Sequence, residues 1–265
     1  MKIDLKDKVV RFVVQDYVNQ ICNYQSDEEL DFDIHKLIHT FTVVEMAQNL
    51  INRANPKLSQ KIRKQILNAA VLHDLGRCHE FKNGVHLKKI DHGEIGAKLI
   101  GKYFPDMKVE KQSTLYHNKC SSDNDPKSCQ PVLNYVRDAD MLANIKYEME
   151  HFNTFLTHIF HQKTPNFLSS LIDFEIIQAV SQKRPASWEK LKSGSLLNGF
   201  LFQMCWFFNV RTSAAKHLIR KTKLFINYKG MIYQRVVPMI TSDKKRQNKL
   251  INQINEIFPD SLLGE

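Results

Sequence analysis

The sequence predicts an all-α protein, and three observations lead to this prediction. Apolar residues recur at helical spacing in one segment after another. Helix-start signals precede several of these segments, such as Asn55-Pro56, or Asp91 with Glu94 three residues later. Apart from residues 231–237, no segment of useful length shows the alternation that is typical of a strand.

The first 150 residues contain a series of helices separated by turn signals. The predicted helices cover residues 4–24, about 31–52, 55–74, 91–104, about 107–119 and about 131–150. Asp31 or Asp33 can cap the second helix, and Gly76 ends the third. Residues 77–90 are then a basic loop, and residues 120–131 are a polar loop rich in turn formers.

From about residue 165 the chain becomes more apolar and aromatic, which predicts a second part of the protein. Its segments are the apolar stretches 166–182 and 195–209, the basic stretch 211–223 and a polar helix at about 242–257. We expect one domain over residues 1–164 and a C-terminal helical extension over 165–265 packed on it. The aromatic run 200–208 is interpreted as core, and the basic stretch as a solvated helix face or as a phosphate-collecting segment over a pocket.

Composition is that of an ordinary globular protein, with 43% hydrophobic and 25% charged residues in 265. No apolar run approaches the roughly 20 residues that span a bilayer, and the N-terminus lacks an apolar signal region. We therefore expect a cytoplasmic protein without a membrane partner. The five cysteines form no Cys-x-x-Cys pair, which argues against a disulfide framework or a cysteine zinc site. A net charge of +10 favours anionic partners, among them nucleotides and nucleic acid.

Candidate metal ligands occur on several of the predicted helices. His73 and Asp74 adjoin at the end of the third helix, where both side chains can turn toward one centre. Four further residues, each in a different predicted helix, supply matching donors, namely His39, His92, His117 and Asp140. Imidazole and carboxylate donors suit divalent Mn, Fe, Ni, Co or Zn, and carboxylates also suit Mg. Such ions polarise phosphoryl oxygens, so a phosphoester hydrolase needs several His and Asp residues from different helices in one pocket, and this sequence can supply them.

The order His39, His73-Asp74, Asp140 resembles that of the HD-domain superfamily of metal-dependent phosphohydrolases. The segment from His39 to Ala47 is similar to its first-histidine helix. Asp138-Ala139-Asp140 is similar to its last-aspartate motif, in which the second aspartate is the ligand. The resemblance covers about residues 30–150 and implies a helical bundle fold.

Two additional histidines resemble those of the binuclear branch of that superfamily, which includes the HD-GYP phosphodiesterases. They lie in His92-Gly93-Glu94 and Tyr116-His117-Asn118. The resemblance implies two metal ions, whereas histidines that cap helices or contact only substrate would leave one. The chain departs from the branch because Asn118-Lys119 follow His117 and the Gly-Tyr-Pro element is absent.

The resemblance implies catalytic roles for Asp74 and Arg77. Asp74 would hold and bridge the metals, and Arg77 would bind a substrate phosphate together with the loop lysines Lys82, Lys88 and Lys89. Guanosine tetraphosphate hydrolases carry Glu-Asp where this chain has Arg77-Cys78. The 5′-nucleotidase-like members place a glutamate where it has Arg77. The alternative interpretation of Arg77 is a solvated cation at a helix end.

The expected function is hydrolysis of a phosphomonoester or phosphodiester, with a nucleotide or cyclic nucleotide as the substrate. A hypothesis from another class is a non-catalytic sensor module that binds metal or nucleotide, with a basic surface that contacts nucleic acid. The complete ligand set favours the enzyme.

Overall fold

The structure is a computed structural model that describes most of the chain. The described residues are 6–24, 26–79, 81–82, 85–86, 91–119, 125–154, 156, 166–187, 191 and 194–263, with only the backbone described at 28, 81–82 and 85–86. Lys88, Lys89 and the side chain of Lys82 lie outside this set, as do residues 120–124 of the predicted polar loop.

The described part of the chain is helical apart from one short hairpin, which confirms the all-α prediction. The helices are α1 (Lys8–Cys22), α2 (Asp27–Arg53), α3 (Gln60–Leu72), α4 (His92–Tyr103), α5 (Lys108–Tyr116), α6 (Gln130–Glu150), α7 (Phe174–Ser181), α8 (Leu196–Trp206), α9 (Ser213–Thr222), α10 (Leu224–Met231), α11 (Val237–Ile240) and α12 (Lys244–Ile257). Within the predicted basic loop, strands β1 (Phe81–Lys82) and β2 (Val85–His86) pair antiparallel.

Three helices begin at residues other than those predicted. α1 begins at Lys8, after the N-cap Asp7, and not at residue 4. α2 begins after Ser26, whose hydroxyl accepts a hydrogen bond from Glu29 N, and Asp31 and Asp33 are already inside the helix. α3 begins after Ser59, whose hydroxyl accepts from Ile62 N, and not at Asn55-Pro56. In α2 and α3 a serine hydroxyl satisfies a free N–H of the first turn.

The possible strand at 231–237 is helical, so that prediction was wrong. A π-helical stretch, Ile232–Val236, joins α10 to α11. The buried apolar residues are Met231, Ile232, Val236 and Val237. Their spacing of five residues fits the wider π-turn, which places both pairs on one buried side.

Contacts divide the chain into two compact units. Unit 1 contains the residues up to Asn144 together with Arg211–Ala215. In it α1 packs on α2 and α3, α3 also packs on α2 and α5, and α4 packs on α5. The short 3-10 helix Arg77–His79 contacts both α2 and α4. The turn between α3 and this short helix is therefore surrounded by the helices of unit 1.

Unit 2 contains Ile145–Val210 and Lys216–Glu265 and has an aromatic core. The rings of Phe207 and Phe225 meet at 5.3 Å between centroids, and Phe200 stacks on Phe152 at 5.7 Å. Phe200, Phe202 and Phe207 are buried, as expected for a run that forms core.

The division into units falls within α6, between Asn144 and Ile145. The predicted domain boundary at residue 165, and the packing of the C-terminal extension on the core, stay predictions. Among the described helices, none combines the length and the apolar character needed to cross a membrane.

Candidate metal centre

His73 and Asp74 lie directly after α3, which ends at Leu72. Both residues are buried in the turn that leads to Arg77. The turn is held by backbone contacts on Asp74 O, which accepts from Arg77 N (2.8 Å) and from the hydroxyl of Tyr17 on α1 (3.3 Å). The helix end thus fixes an imidazole and a carboxylate side by side in the interior of unit 1.

A first group of donors forms around Asp74 Oδ2. His39 Nε2 from α2 lies 3.8 Å from this oxygen, and His73 Nε2 lies 3.6 Å from it. Asp140 Oδ1 from α6 is 3.0 Å from His39 Nε2 and 3.9 Å from His73 Nε2. Asn144, one turn later on α6, donates to the same Asp140 oxygen at 3.0 Å. Three helices therefore deliver two imidazoles and two carboxylates to one point.

A second group forms around the other oxygen of the same carboxylate, Asp74 Oδ1. His92 Nε2 and His117 Nε2 each lie 3.5 Å from it and 3.1 Å from one another. His92 is the first residue of α4, and His117 follows α5. Asp74 is thus shared by the two groups. The donor atoms of His39, His73 and Asp74 lie within 4.8 Å of one another, as do those of Asp74, His92 and His117.

Gly76 allows the second group to form because it leaves room for the start of α4. A Cβ atom at this position would lie 2.3 Å from the backbone oxygen of His92. The start of α4 therefore approaches the turn after α3 more closely than any side chain allows. Close approach, rather than a left-handed backbone, is what requires glycine here.

The donor set fits divalent metal ions. His73 Nδ1 donates to Ala70 O (2.8 Å) and His117 Nδ1 donates to Thr114 O (2.7 Å), so each ring directs the lone pair of Nε2 at Asp74. His73 Nε2 and Asp74 Oδ1 are buried without a hydrogen-bond partner. Donor atoms about 2.1 Å from one ion are about 3.0–3.4 Å apart, close to the distances between these groups.

The protonation states also suit metal binding. Burial lowers the pKa of His39 and His73, so both imidazoles are neutral near neutral pH. Burial opposes ionisation of Asp74, but the Arg77 guanidinium and the His73 imidazole outweigh it and hold the pKa of that carboxyl well below its usual range. Burial likewise opposes ionisation of Asp140, and the hydrogen bond with His39 helps to lower its pKa. The carboxylates are therefore charged, as ligands must be.

Two basic residues of the described part of the chain flank Asp74. Arg77 Nε lies 3.4 Å from Asp74 Oδ1, as expected for a residue one turn further along the chain. Lys36 Nζ lies 4.0 Å from Asp74 Oδ2, and sequence reasoning missed it. Its position three residues before His39, on the same face of α2, is the signal that marks it. His35, one turn before His39 on α2, belongs to neither donor group among the described residues.

Sequence reasoning also missed a buried arginine that holds the segment after α5. Arg137 on α6 donates to the backbone oxygens of Tyr116 (2.6 Å), His117 (3.3 Å) and Lys119 (2.6 Å). Asp125 pairs with the same guanidinium at 2.5 Å. Since Arg137 lies three residues before Asp140, one helix positions ligands of both groups.

Asp138 and Asp125 fix a distant segment to α6. Asp138 Oδ2 accepts hydrogen bonds from Thr212 N (2.8 Å) and Thr212 Oγ1 (2.7 Å), and Oδ1 accepts from Arg211 N (3.1 Å). The Arg211 side chain reaches Asp125 at 2.7 Å. Asp138 therefore has a structural role, and Asp140 lies in the cluster. Arg211, the start of the predicted basic stretch, is a structural cation here.

Comparison with known proteins supports the resemblance seen in the sequence. The family model described as "HD domain" matches residues 37–145, which span His39 to Asp140 and all six candidate ligands. No curated protein and no solved structure matches the chain. HD domains bind divalent metals and are commonly hydrolases. The match, the order of the ligands and the helical architecture are consistent with an HD domain over residues 37–145 of this chain.

Proposed function

We propose that the protein is a metal-dependent phosphohydrolase that cleaves a phosphomonoester or phosphodiester, with a nucleotide or cyclic nucleotide as substrate. The observation that carries the proposal is the sharing of Asp74. Each of its oxygens faces a different set of imidazoles, one with His39 and His73, the other with His92 and His117. A carboxylate placed in this way would be able to bridge two ions.

The residues divide into two binding sites. His39, His73 and Asp140 would hold one ion together with Asp74 Oδ2, and His92 and His117 would hold the other with Asp74 Oδ1. Divalent ions in such a pair polarise a phosphoryl oxygen and make water more acidic. Because all the imidazoles are buried, the chemistry would occur where bulk water competes little for the donors.

The protein groups around the ions would bind and orient the substrate. The Nδ1 protons of His73 and His117 are committed to backbone oxygens, so these rings act as fixed donors rather than as proton carriers. Arg77 carries a permanent charge beside Asp74, and its planar guanidinium suits two oxygens of a phosphate. We therefore assign Arg77 to substrate binding and not to the alternative role of a solvated cation at a helix end.

The test combines metal analysis with a hydrolysis screen of nucleotides, cyclic nucleotides and simple phosphoesters. We expect about two ions per chain, falling to about one in His92→Ala and in His117→Ala. The matched control is His217→Ala, because His217 is exposed and outside the cluster. One ion in all four proteins would contradict the two-ion site. Binding of metal and nucleotide without turnover of any substrate would favour the sensor hypothesis instead.

A further inference from the structure

The two donor groups differ in how the backbone of their ligands is held. His39 and Asp140 lie inside α2 and α6, with helical turns on both sides of them. His117 instead lies just beyond Tyr116, the last residue of α5, so the final carbonyl oxygens of that helix need partners from outside it. The position of His117, and with it the second donor group, therefore depends on contacts from another element.

Arg137 on α6 supplies these contacts. Its Nη2 donates to the backbone oxygens of Tyr116 and Lys119, each at 2.6 Å, and its Nε donates to the backbone oxygen of His117 at 3.3 Å. A positive charge is also favourable at the carboxyl end of a helix. The guanidinium carries its donors in fixed directions, so an ammonium at this position would not reproduce all three contacts.

Asp125 fixes the direction of this guanidinium. Its two oxygens accept from Nη1 (2.5 Å) and Nη2 (3.0 Å) of Arg137, and Oδ2 also accepts from Nη1 of Arg211 (2.7 Å). The side chains of Arg137 and Asp125 are only 4% and 1% exposed. Hydrogen bonds are stronger in such a buried environment than in water, so the pair is held in one geometry. The fixed guanidinium in turn holds the segment that carries His117.

We propose that Arg137 is a positioning residue for the second metal ion, and that its contacts decide whether the centre holds two ions or one. This inference rests on the proposed function and extends it. His117 Nε2 lies 3.1 Å from His92 Nε2 and 3.5 Å from Asp74 Oδ1, so a displacement of the segment after α5 would separate these donors. The ligands of the first group lie in other segments. Loss of the Arg137 contacts should therefore weaken the second ion and leave the first in place.

The alternative is that Arg137 contributes only to the stability of the fold. Arg137→Met removes all of its hydrogen bonds, whereas Arg137→Lys keeps the positive charge beside Asp125 and loses the fixed set of donors. Arg137→Lys therefore decides the question if Arg137→Met does not fold. Lys229→Met is the matched control, because Lys229 is also a buried cation that donates to a backbone oxygen at a helix end, that of Phe258 after α12 (3.1 Å), but belongs to unit 2.

The first measurement is a calorimetric titration of the metal-free protein with Mn²⁺. We expect both Arg137 variants to weaken the second ion roughly ten- to a hundredfold, as is typical when a group that holds a ligand in place is removed. The first ion should bind as in the wild type, and Lys229→Met should match the wild type for both ions. His117→Ala identifies the ion that is affected, because the ion that remains in it should bind equally well after Arg137→Lys is added.

The second measurement does not depend on metal. Amide hydrogen exchange of the metal-free protein, followed by mass spectrometry, reports local opening of the backbone. We expect Arg137→Lys to raise the exchange rate within residues 113–119, and Lys229→Met to leave it unchanged there. Unchanged exchange of this segment in Arg137→Lys would contradict a role that acts through the backbone of His117.

The possible results separate this inference from the proposed function. Wild-type affinity for both ions in the Arg137 variants would overturn the inference even if the protein hydrolyses phosphoesters. Equal weakening of both ions, or of the ion that remains in His117→Ala, would also overturn it, because Arg137 would then act on the whole fold. A wild-type protein that binds one ion, and keeps it in His117→Ala, would overturn it as well. Selective loss of the second ion in a protein that hydrolyses no substrate would support the role of Arg137 while the proposed function fails.

Discussion

Asp138 and Asp140 stand two residues apart on α6, and we predict that their amide variants have different effects. Asp138 is buried, and its two oxygens accept from Arg211 N, Thr212 N and Thr212 Oγ1. An asparagine offers one acceptor oxygen in place of two, so in Asp138→Asn at least one of these donors faces an NH₂ group. Asp140→Asn instead removes a charged donor from the first metal group.

Asp138→Asn should lower the free energy of unfolding, because one buried donor loses its acceptor. A buried donor without a partner costs about 1–3 kcal/mol. For a chain of this size each kcal/mol lowers Tm by about 2–4 °C, so we expect a fall of roughly 2–12 °C. Asp138→Asn should keep the wild-type metal content. Asp140→Asn should lose metal, because a neutral amide binds a cation poorly.

Thermal denaturation in the presence of a chelator gives Tm without the contribution of bound metal, and elemental analysis gives the metal content. Asp31→Asn is the control, since Asp31 is exposed on α2 and surface changes usually stay within about 0.5 kcal/mol. A double-mutant cycle with Thr212→Ala should show coupling of about 0.5–3 kcal/mol. Loss of metal without loss of stability in Asp138→Asn would refute the division of roles between the two aspartates.

Three further predictions concern single side chains. Asp74→Asn should abolish hydrolysis and reduce the metal content while far-UV circular dichroism stays unchanged; near-normal turnover would refute a shared carboxylate. Arg77→Ala should raise KM roughly ten- to a hundredfold with metal content unchanged, and unaltered kinetics would make Arg77 a helix-end cation. Burial raises the pKa of Glu148 from 4.5 to about 8. The folded protein therefore holds a proton that the unfolded chain releases, so stability should fall by a few kcal/mol as pH rises from about 4.5 to about 8. Glu148→Gln should remove this fall of stability with pH when Tm is measured at several pH values. An unchanged pH dependence of Tm in the variant would contradict the role of Glu148.

The candidate ligands could be found from the sequence because their signals are local. His73-Asp74 follows the last apolar residue of a helix, and His92 follows a capping aspartate. Each candidate ligand therefore lies at a helix end or on a helix that can be predicted from the sequence. The structure places all six candidates together, although their roles as ligands stay a prediction until metal is measured.

The residues that sequence reasoning missed depend on contacts between distant segments. Arg137 holds three backbone oxygens beyond α5, about twenty positions earlier in the chain, and Asp138 binds Thr212, 74 positions away. Helical periodicity predicts which side of α6 is buried, but it does not show which distant segment a buried charge will contact. The helix starts at Ser26 and Ser59 were missed for a simpler reason, since several nearby polar residues could serve as caps.

Asn118 shows how a departure from a family pattern can have a structural explanation. The binuclear branch usually has a second histidine after the one that corresponds to His117. Here Asn118 Nδ2 donates to Asp91 Oδ1 at 3.1 Å, and Asp91 is the N-cap of the helix that begins with His92. The asparagine therefore links the two segments that supply the second donor group. Through this hydrogen bond Asn118 holds His92 and His117 next to one another. The second donor group consists of these two imidazoles and Asp74.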